Sequence, residues 1–236
     1  LNENGVKYNI VDETNHGTPI SVSFQGKERE EQLAAINALL MHSNGVLHAT
    51  TAFGKTVTAA AIIARKKVST LILVHSKALL AQWHERLTEF LSIDYVEPPV
   101  PKKRGRHKKF SPIGCLDSTG NYLHGIVDIA LIQSCLDGDS VKPFVENYGM
   151  VIVDECHHVS SVTFENVLKS IKAHSVYGLT ATPIRKDGHQ PIIFMQCGPI
   201  RFSADAKSQI AKQSFERYLI PRFTSYRSIT DDKQSI

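Results

Sequence analysis

Nowhere among the 236 residues does an apolar run approach the roughly 20 that a helix needs to span a bilayer, and no signal-peptide pattern opens the chain. A membrane role is therefore not expected. Cysteine is sparse. Cys115, Cys135, Cys156 and Cys197 stand apart, without the close pairs of zinc sites or the density of a secreted disulfide scaffold, which fits a reducing, cytoplasmic setting. Cys156-His157-His158 has metal-ligand residue types, but adjacent side chains at a strand end diverge, which argues against a metal cluster there. A strong charge bias is also missing: the formal net charge is +4, a mild excess that suits a polyanionic partner without demanding one. No internal repeat is visible.

What the sequence does contain is a rhythm. Short apolar runs at 45–49, 70–74, 127–132, 150–153 and 175–179 read as buried strands, while 28–41, 57–64 and 77–91 carry helical patterns. In the first of these Leu33, Ile36, Leu39 and Leu40 mark the apolar face. In the third, Leu79, Leu80, Trp83, Leu87 and Phe90 do so, and Trp83 reads as core packing. Continuous apolar strands alternating with helices predict an α/β fold, with a mostly parallel central sheet covered by helices on both faces. Ligands of such sheets sit at the carboxyl ends of the strands. Residues 1–27 read as a leader segment, with a short strand or hairpin at 20–24, and 28–203 as the main domain. Residues 194–202 suit an edge strand, 204–215 have helical character, and 204–236 read as a connector. One stretch, 98–110, breaks the rhythm with a proline-bounded basic run.

Two constellations carry chemistry. The first is Ala49-Thr50-Thr51-Ala52-Phe53-Gly54-Lys55-Thr56, set between a strand and a helix. Backbone N–H groups of such a loop and the helix amino terminus present positive ends to a phosphate. Lys55 would reach the β and γ phosphates of a nucleotide, and the Thr56 hydroxyl would help hold Mg²⁺. Alanines at 49 and 52 stand where the usual pattern has glycine. The second is Asp154-Glu155, directly after the apolar run 150–153. Ionised groups there are costly unless a cation or hydrogen bonds stabilise them. Asp154 can hold Mg²⁺ through a water while Glu155 orients and deprotonates an attacking water, the division of labour that phosphoryl transfer to water requires.

Taken in order, the phosphate loop, Asp154-Glu155-Cys156-His157 and Thr180-Ala181-Thr182-Pro183 resemble motifs I, II and III of superfamily 2 helicases, in the DEAD/DEAH-like branch. The run from Gly178 to Arg185 is similar to the XPB-like and restriction-enzyme-like subgroup of DNA translocases. The resemblance covers about 28–185. It implies a RecA-like lobe with the motif III strand between those of motifs I and II, ATP and Mg²⁺ as cofactors, and a nucleic acid, DNA ahead of RNA, as partner.

Residue by residue, the resemblance implies nucleotide contacts from Thr51, Ala52, Phe53, Gly54, Lys55 and Thr56, with Arg29 and Gln32 near the adenine, although a polar helix start explains that pair equally well. His157, Thr180 and Thr182 would couple the nucleotide site to the nucleic-acid groove. His75, Ser76 and Lys77 match motif Ia, which faces nucleic-acid phosphates. Gln133 and Ser134 match a backbone-touching segment, or are simply a buried strand end. Lys102, Lys103, Arg104 and Arg106 form either a phosphate grip or a solvated loop.

The resemblance also implies a second RecA-like lobe in the same parent chain, which supplies an arginine finger. Arg185, Arg201, Arg217 and Arg222 lack that motif's context, so the expectation for this chain is ATP binding with poor hydrolysis. A nucleotide-sensing scaffold without motor activity, and a P-loop ATPase acting on protein, are the competing readings.

Overall fold

A computed structural model describes residues 11–95, 111–156, 162–182 and 190–204. In chain order the elements are β1 (Val22–Phe24), α1 (Glu30–Leu40), β2 (Asn44–His48), α2 (Lys55–Lys66), β3 (Thr70–Val74), α3 (Lys77–Phe90) and β4 (Leu91–Ile93). There follow β5 (Ile113–Asp117), β6 (Gly120–Tyr122), β7 (Val127–Leu131), β8 (Leu136–Asp137), β9 (Ser140–Val141), β10 (Met150–Asp154), α4 (Val162–Lys169), β11 (Ser175–Thr180), α5 (Gln190–Cys197) and β12 (Ile200–Ser203).

Eight strands form one sheet in the order β12-β2-β11-β10-β3-β7-β5-β6. All pairings in it are parallel except the terminal β5–β6 hairpin. This is the α/β sheet that the strand rhythm predicts, and β11 does lie between β2 and β10. Along β3, Ile72 and Val74 enter one apolar cluster, with α1, α2 and α3, while Leu71 and Leu73 enter the other, with α4 and α5. β10 divides the same way, Met150 and Ile152 against Val151 and Val153. Strands buried on both faces need apolar residues at every position, which is why they read as continuous runs.

Several local expectations change. Leu33 is exposed, and the buried side of α1 is Gln32, Ala35, Ile36 and Leu39. Trp83 and Leu87 are buried on α3, whereas Leu79, Leu80 and Phe90 pack against the core from partly exposed positions. Residues 194–202 are divided between the end of α5 and the edge strand β12 instead of forming one strand. Within the 1–27 segment, β1 pairs antiparallel with β4, and Val22 is buried in the core.

At the amino end of β7, Asp128 is fully buried and satisfied. It accepts hydrogen bonds from the backbone N–H groups of His124 (2.9 Å) and Gly125 (2.6 Å) and from the Tyr148 hydroxyl (2.7 Å). A buried carboxylate is tolerable only with such a set of donors. Among the described residues, no helix is long and apolar enough to cross a membrane.

Candidate nucleotide site

The loop between β2 and α2 is held from three sides. The Ala49 N–H donates to the Thr180 carbonyl at 2.9 Å, tying the loop to β11. The Phe53 side chain is buried in the core. The Phe53 carbonyl accepts from Gln32 Nε2 at 2.9 Å and from the Arg29 guanidinium, whose second contact, with the Ala52 carbonyl, is longer at 3.4 Å. Gln32 Oε1 in turn accepts from the Arg29 N–H at 2.9 Å. Both ends of the Gln32 amide are thus engaged by protein atoms, and the amino end of α1 acts as a brace for the loop.

Gly54 then turns the chain into α2 with a φ of +84°, where a side chain is strained, and a Cβ there would lie 2.6 Å from Gln32 Nε2. The first-turn N–H groups that follow, from Lys55 onward, lack acceptors within the helix, as at any helix start. Lys55 is nearly buried, and its Nζ donates to Glu155 Oε1 at 3.0 Å and to the Ala49 carbonyl at 3.4 Å.

Asp154 ends β10, two strands from β2, and is 6% exposed. Both of its oxygens accept: Oδ2 from the Trp83 indole N–H at 2.7 Å, and Oδ1 from the Glu155 N–H at 3.0 Å. Burial pushes the Asp154 carboxyl above the usual aspartate range; the Trp83 hydrogen bond opposes this, the Glu155 charge adds to it, and Lys55 offsets part. Glu155 adopts a left-handed backbone with φ of 46°, uncommon outside glycine, which turns its side chain away from the strand direction toward Lys55. A cavity of about 290 Å³ opens between α2 and α3, lined by Gly54, Lys55, Thr56, Trp83, Asp154 and Glu155 among others. A buried carboxylate held against its own desolvation, beside a helix amino terminus and a lysine, fits a site for Mg²⁺ with polyphosphate.

The remaining candidate residues line the same carboxyl edge of the sheet. Thr180, fully buried, ends β11, and its Oγ1 accepts from the Thr182 N–H at 3.1 Å. His75, Ser76 and Lys77 follow β3, with Lys77 exposed. The Ser76 hydroxyl is already used as the amino-terminal cap of α3, accepting from the Leu79 N–H at 3.3 Å. Gln133 and Ser134 follow the neighbouring β7 in a 3-10 turn. Gln133 is exposed, which removes the reading of a buried strand end. Cys156 is buried next to Gly178, where a Cβ would come 2.9 Å from its Sγ. His157, and Lys102, Lys103, Arg104 and Arg106 in the basic run, lie outside the described residues. Sequence reasoning missed two features of the site. One is the bracing of the Phe53 carbonyl by Arg29 and Gln32. The other is the hydrogen bond of Trp83, whose place on an apolar helix face signals packing and nothing more.

The family model described as type III restriction enzyme, res subunit, matches residues 25–185, more than half of the chain. The chain belongs to this family. It is a superfamily 2 helicase-type amino-terminal lobe with a RecA-like fold. Protein 109L of Invertebrate iridescent virus 3 is 33% identical over 183 residues, 75% of this chain and 51% of the viral one. The DNA 3'-5' translocase XPB2 of Sulfurisphaera tokodaii is 28% identical over 206 residues, 87% of this chain and 42% of that one. Among solved structures, the UvsW helicase from bacteriophage T4 shares the fold with a TM-score of 0.53 at 18% identity, over 79% of this chain and 64% of that one. The helicase-type lobe thus spans about half the length of the curated relatives it matches.

Proposed function

We propose that this lobe binds ATP with Mg²⁺ in the cavity between α2 and α3, as half of a motor that couples ATP hydrolysis to movement on, or remodelling of, DNA. The convergence of Lys55, Asp154 and Glu155 carries the reading: residues about 100 positions apart in sequence meet at one helix start, the Lys55–Glu155 pair at 3.0 Å. The backbone of residues 51–54 and the amino end of α2 bind the phosphates, and Lys55 neutralises the β and γ oxygens. Thr56 and Asp154 hold Mg²⁺, which when bound offsets charge on the transferring phosphoryl group. Glu155 orients the attacking water and takes its proton. Thr180 and Thr182, at the same edge, pass the state of the site to the nucleic-acid groove, as His157 does in the same reading.

The groove runs along 75–77 and 133–134, with the basic residues 102–106 as further phosphate contacts. Such contacts read backbone, not bases, so sequence preference is weak. The name of the archaeal relative XPB2, a DNA translocase, supports DNA as the partner. A second RecA-like lobe supplies the arginine finger, an element that is worth about 10³–10⁵ in rate. This chain alone therefore binds ATP and turns it over slowly.

Titration of the chain with a fluorescent ATP analogue and Mg²⁺ tests the reading. Saturable binding is expected, with at least a tenfold loss in Lys55→Ala. Equal binding by wild type and variant, or strong DNA-stimulated turnover by this chain as a monomer, overturns it.

A further inference from the structure

Trp83 is the one tryptophan in the sequence, and it is 1% exposed. It lies on the inner face of α3, yet its polar edge does not end in the core. Trp83 lines the nucleotide cavity, and its indole N–H donates to Asp154 Oδ2 at 2.7 Å, across 71 positions of sequence. Indole can donate one hydrogen bond and accept none, so it holds a carboxylate oxygen in one direction and cannot serve a protonated or metal-bound partner in any other way. A short N–H···O contact to an ionised acceptor is among the stronger hydrogen bonds a protein makes.

The geometry around Asp154 gives this contact its meaning. Oδ1 is held by the Glu155 N–H at 3.0 Å and Oδ2 by Trp83, so the carboxylate plane is fixed from both ends. Only the lone pairs not used by these two donors remain for Mg²⁺ or its water. The two donors come from unlike places. The Glu155 N–H is next to Asp154 in the chain and exists with any residue but proline there, whereas the indole arrives from α3 and depends on residue 83 being tryptophan. Tyrosine carries its donor beyond the ring and phenylalanine has none.

We propose that Trp83 is a positioning residue for the metal-binding carboxylate: its indole N–H sets the orientation in which Asp154 receives Mg²⁺ with the nucleotide. The proposal rests on the ATP–Mg²⁺ reading above and adds to it an outer support on α3. The indole N–H is already given to Asp154, and phenylalanine at 83 keeps an aromatic ring at the cavity wall, so phosphate binding in the absence of metal does not depend on that hydrogen bond. What depends on it is the gain in affinity that Mg²⁺ brings.

Because the chain has a single tryptophan, its ¹⁵N–¹H spectrum has one indole signal, and that signal reads the contact directly. In the nucleotide-free protein, Asp154→Ala should move it upfield, as expected when a charged acceptor is lost. With a fluorescent ADP analogue, wild type and Trp83→Phe should bind alike in EDTA. The increase in affinity on adding Mg²⁺ should fall by roughly tenfold in Trp83→Phe. An indole signal indifferent to Asp154→Ala overturns the proposal, as does a Trp83→Phe variant with the full Mg²⁺ gain, whatever its melting temperature.

If wild type binds no nucleotide, the ATP reading fails and this one falls with it. A wild-type Mg²⁺ gain that the variant keeps sinks the Trp83 proposal alone. Should Trp83→Phe not fold, the wild-type signal still decides: it should move with Mg²⁺–ADP and not with ADP in EDTA. Equal movement in both counts against the proposal.

Discussion

Lys55 Nζ stands 3.0 Å from Glu155 Oε1, an ion pair closed across 100 positions, with the two side chains 8% and 21% exposed. The lysine that a phosphate would use is therefore already engaged by the carboxylate that would activate water. In the proposed function, nucleotide competes with Glu155 for the Lys55 ammonium. Desolvation of a pair this buried offsets much of its Coulombic attraction, which leaves a net of about 1 kcal/mol. In Glu155→Gln the competition weakens, so nucleotide affinity by calorimetry should be unchanged or up to about fivefold higher. Turnover by a two-lobe parent should meanwhile fall at least about 100-fold, the usual scale for losing a general base. A variant that keeps its turnover removes Glu155 from the chemistry.

The brace on the phosphate loop makes a separate claim about Gln32. Its Oε1 is taken by the Arg29 N–H and its Nε2 by the Phe53 carbonyl, and a Cβ on Gly54 would press on the same Nε2. Gln32→Ala and Gly54→Ala should therefore act through the loop, not through the base. Both should weaken ATP and GTP by the same factor in competition binding. Gly54→Ala should also cost about 1–3 kcal/mol of stability, because alanine is strained at φ of +84°. Loss of ATP affinity with GTP affinity retained in Gln32→Ala would instead make the amide a reader of adenine.

The parts of this lobe that were legible in its sequence are those in which one local rule decides. β3, β7 and β10 announce themselves because both faces are buried, and Gly54-Lys55-Thr56 and Asp154-Glu155 stand out by residue type and position after a strand, two segments that the structure brings together at one cavity. What was not legible depends on partners brought from elsewhere. The β5–β6 hairpin carries Gly114 opposite the Asp128 carboxylate, where a Cβ would come within 1.9 Å of Oδ1, and no periodicity marks it. Leu33 sits where an apolar stripe is expected, yet Gln32 is the buried residue, because the phosphate loop needs its amide. Trp83 satisfies the rule for a core position and the needs of Asp154 at once, and only the first is visible in one dimension.

Tyr148 and Asp128 lie at the opposite end of the sheet from the cavity, which allows stability to be separated from binding. Burial, first, and the Asp128 carboxylate both hold the Tyr148 phenol protonated far above its usual range, so the hydroxyl remains a donor at every working pH. Tyr148→Phe takes one of three donors from a fully buried carboxylate. Hydrogen bonds to charged groups contribute about 1.5–3 kcal/mol, and urea unfolding should show a loss of that size. Nucleotide affinity of the folded variant should not change. A shift in affinity would mean that strain at β7 reaches the phosphate loop.

Asp154 gives the lobe a pH dependence of defined sign. Its folded carboxyl is raised above the ordinary 3.8, chiefly by burial, so between 3.8 and the raised value the native state holds a proton that the unfolded chain has lost. Stability from this group is greatest at low pH and declines as pH rises through that window, then stays level. Asp154→Asn removes the titration. Whatever constant offset the amide introduces, the melting temperature of Asp154→Asn relative to wild type should rise from pH 4 toward pH 7 in the absence of metal. Mg²⁺ with nucleotide should oppose the trend by stabilising wild type more than the variant, since the cation favours the charged carboxylate. A difference that is flat with pH, or that falls, would show that Trp83, the Glu155 N–H and Lys55 already compensate the buried charge in full.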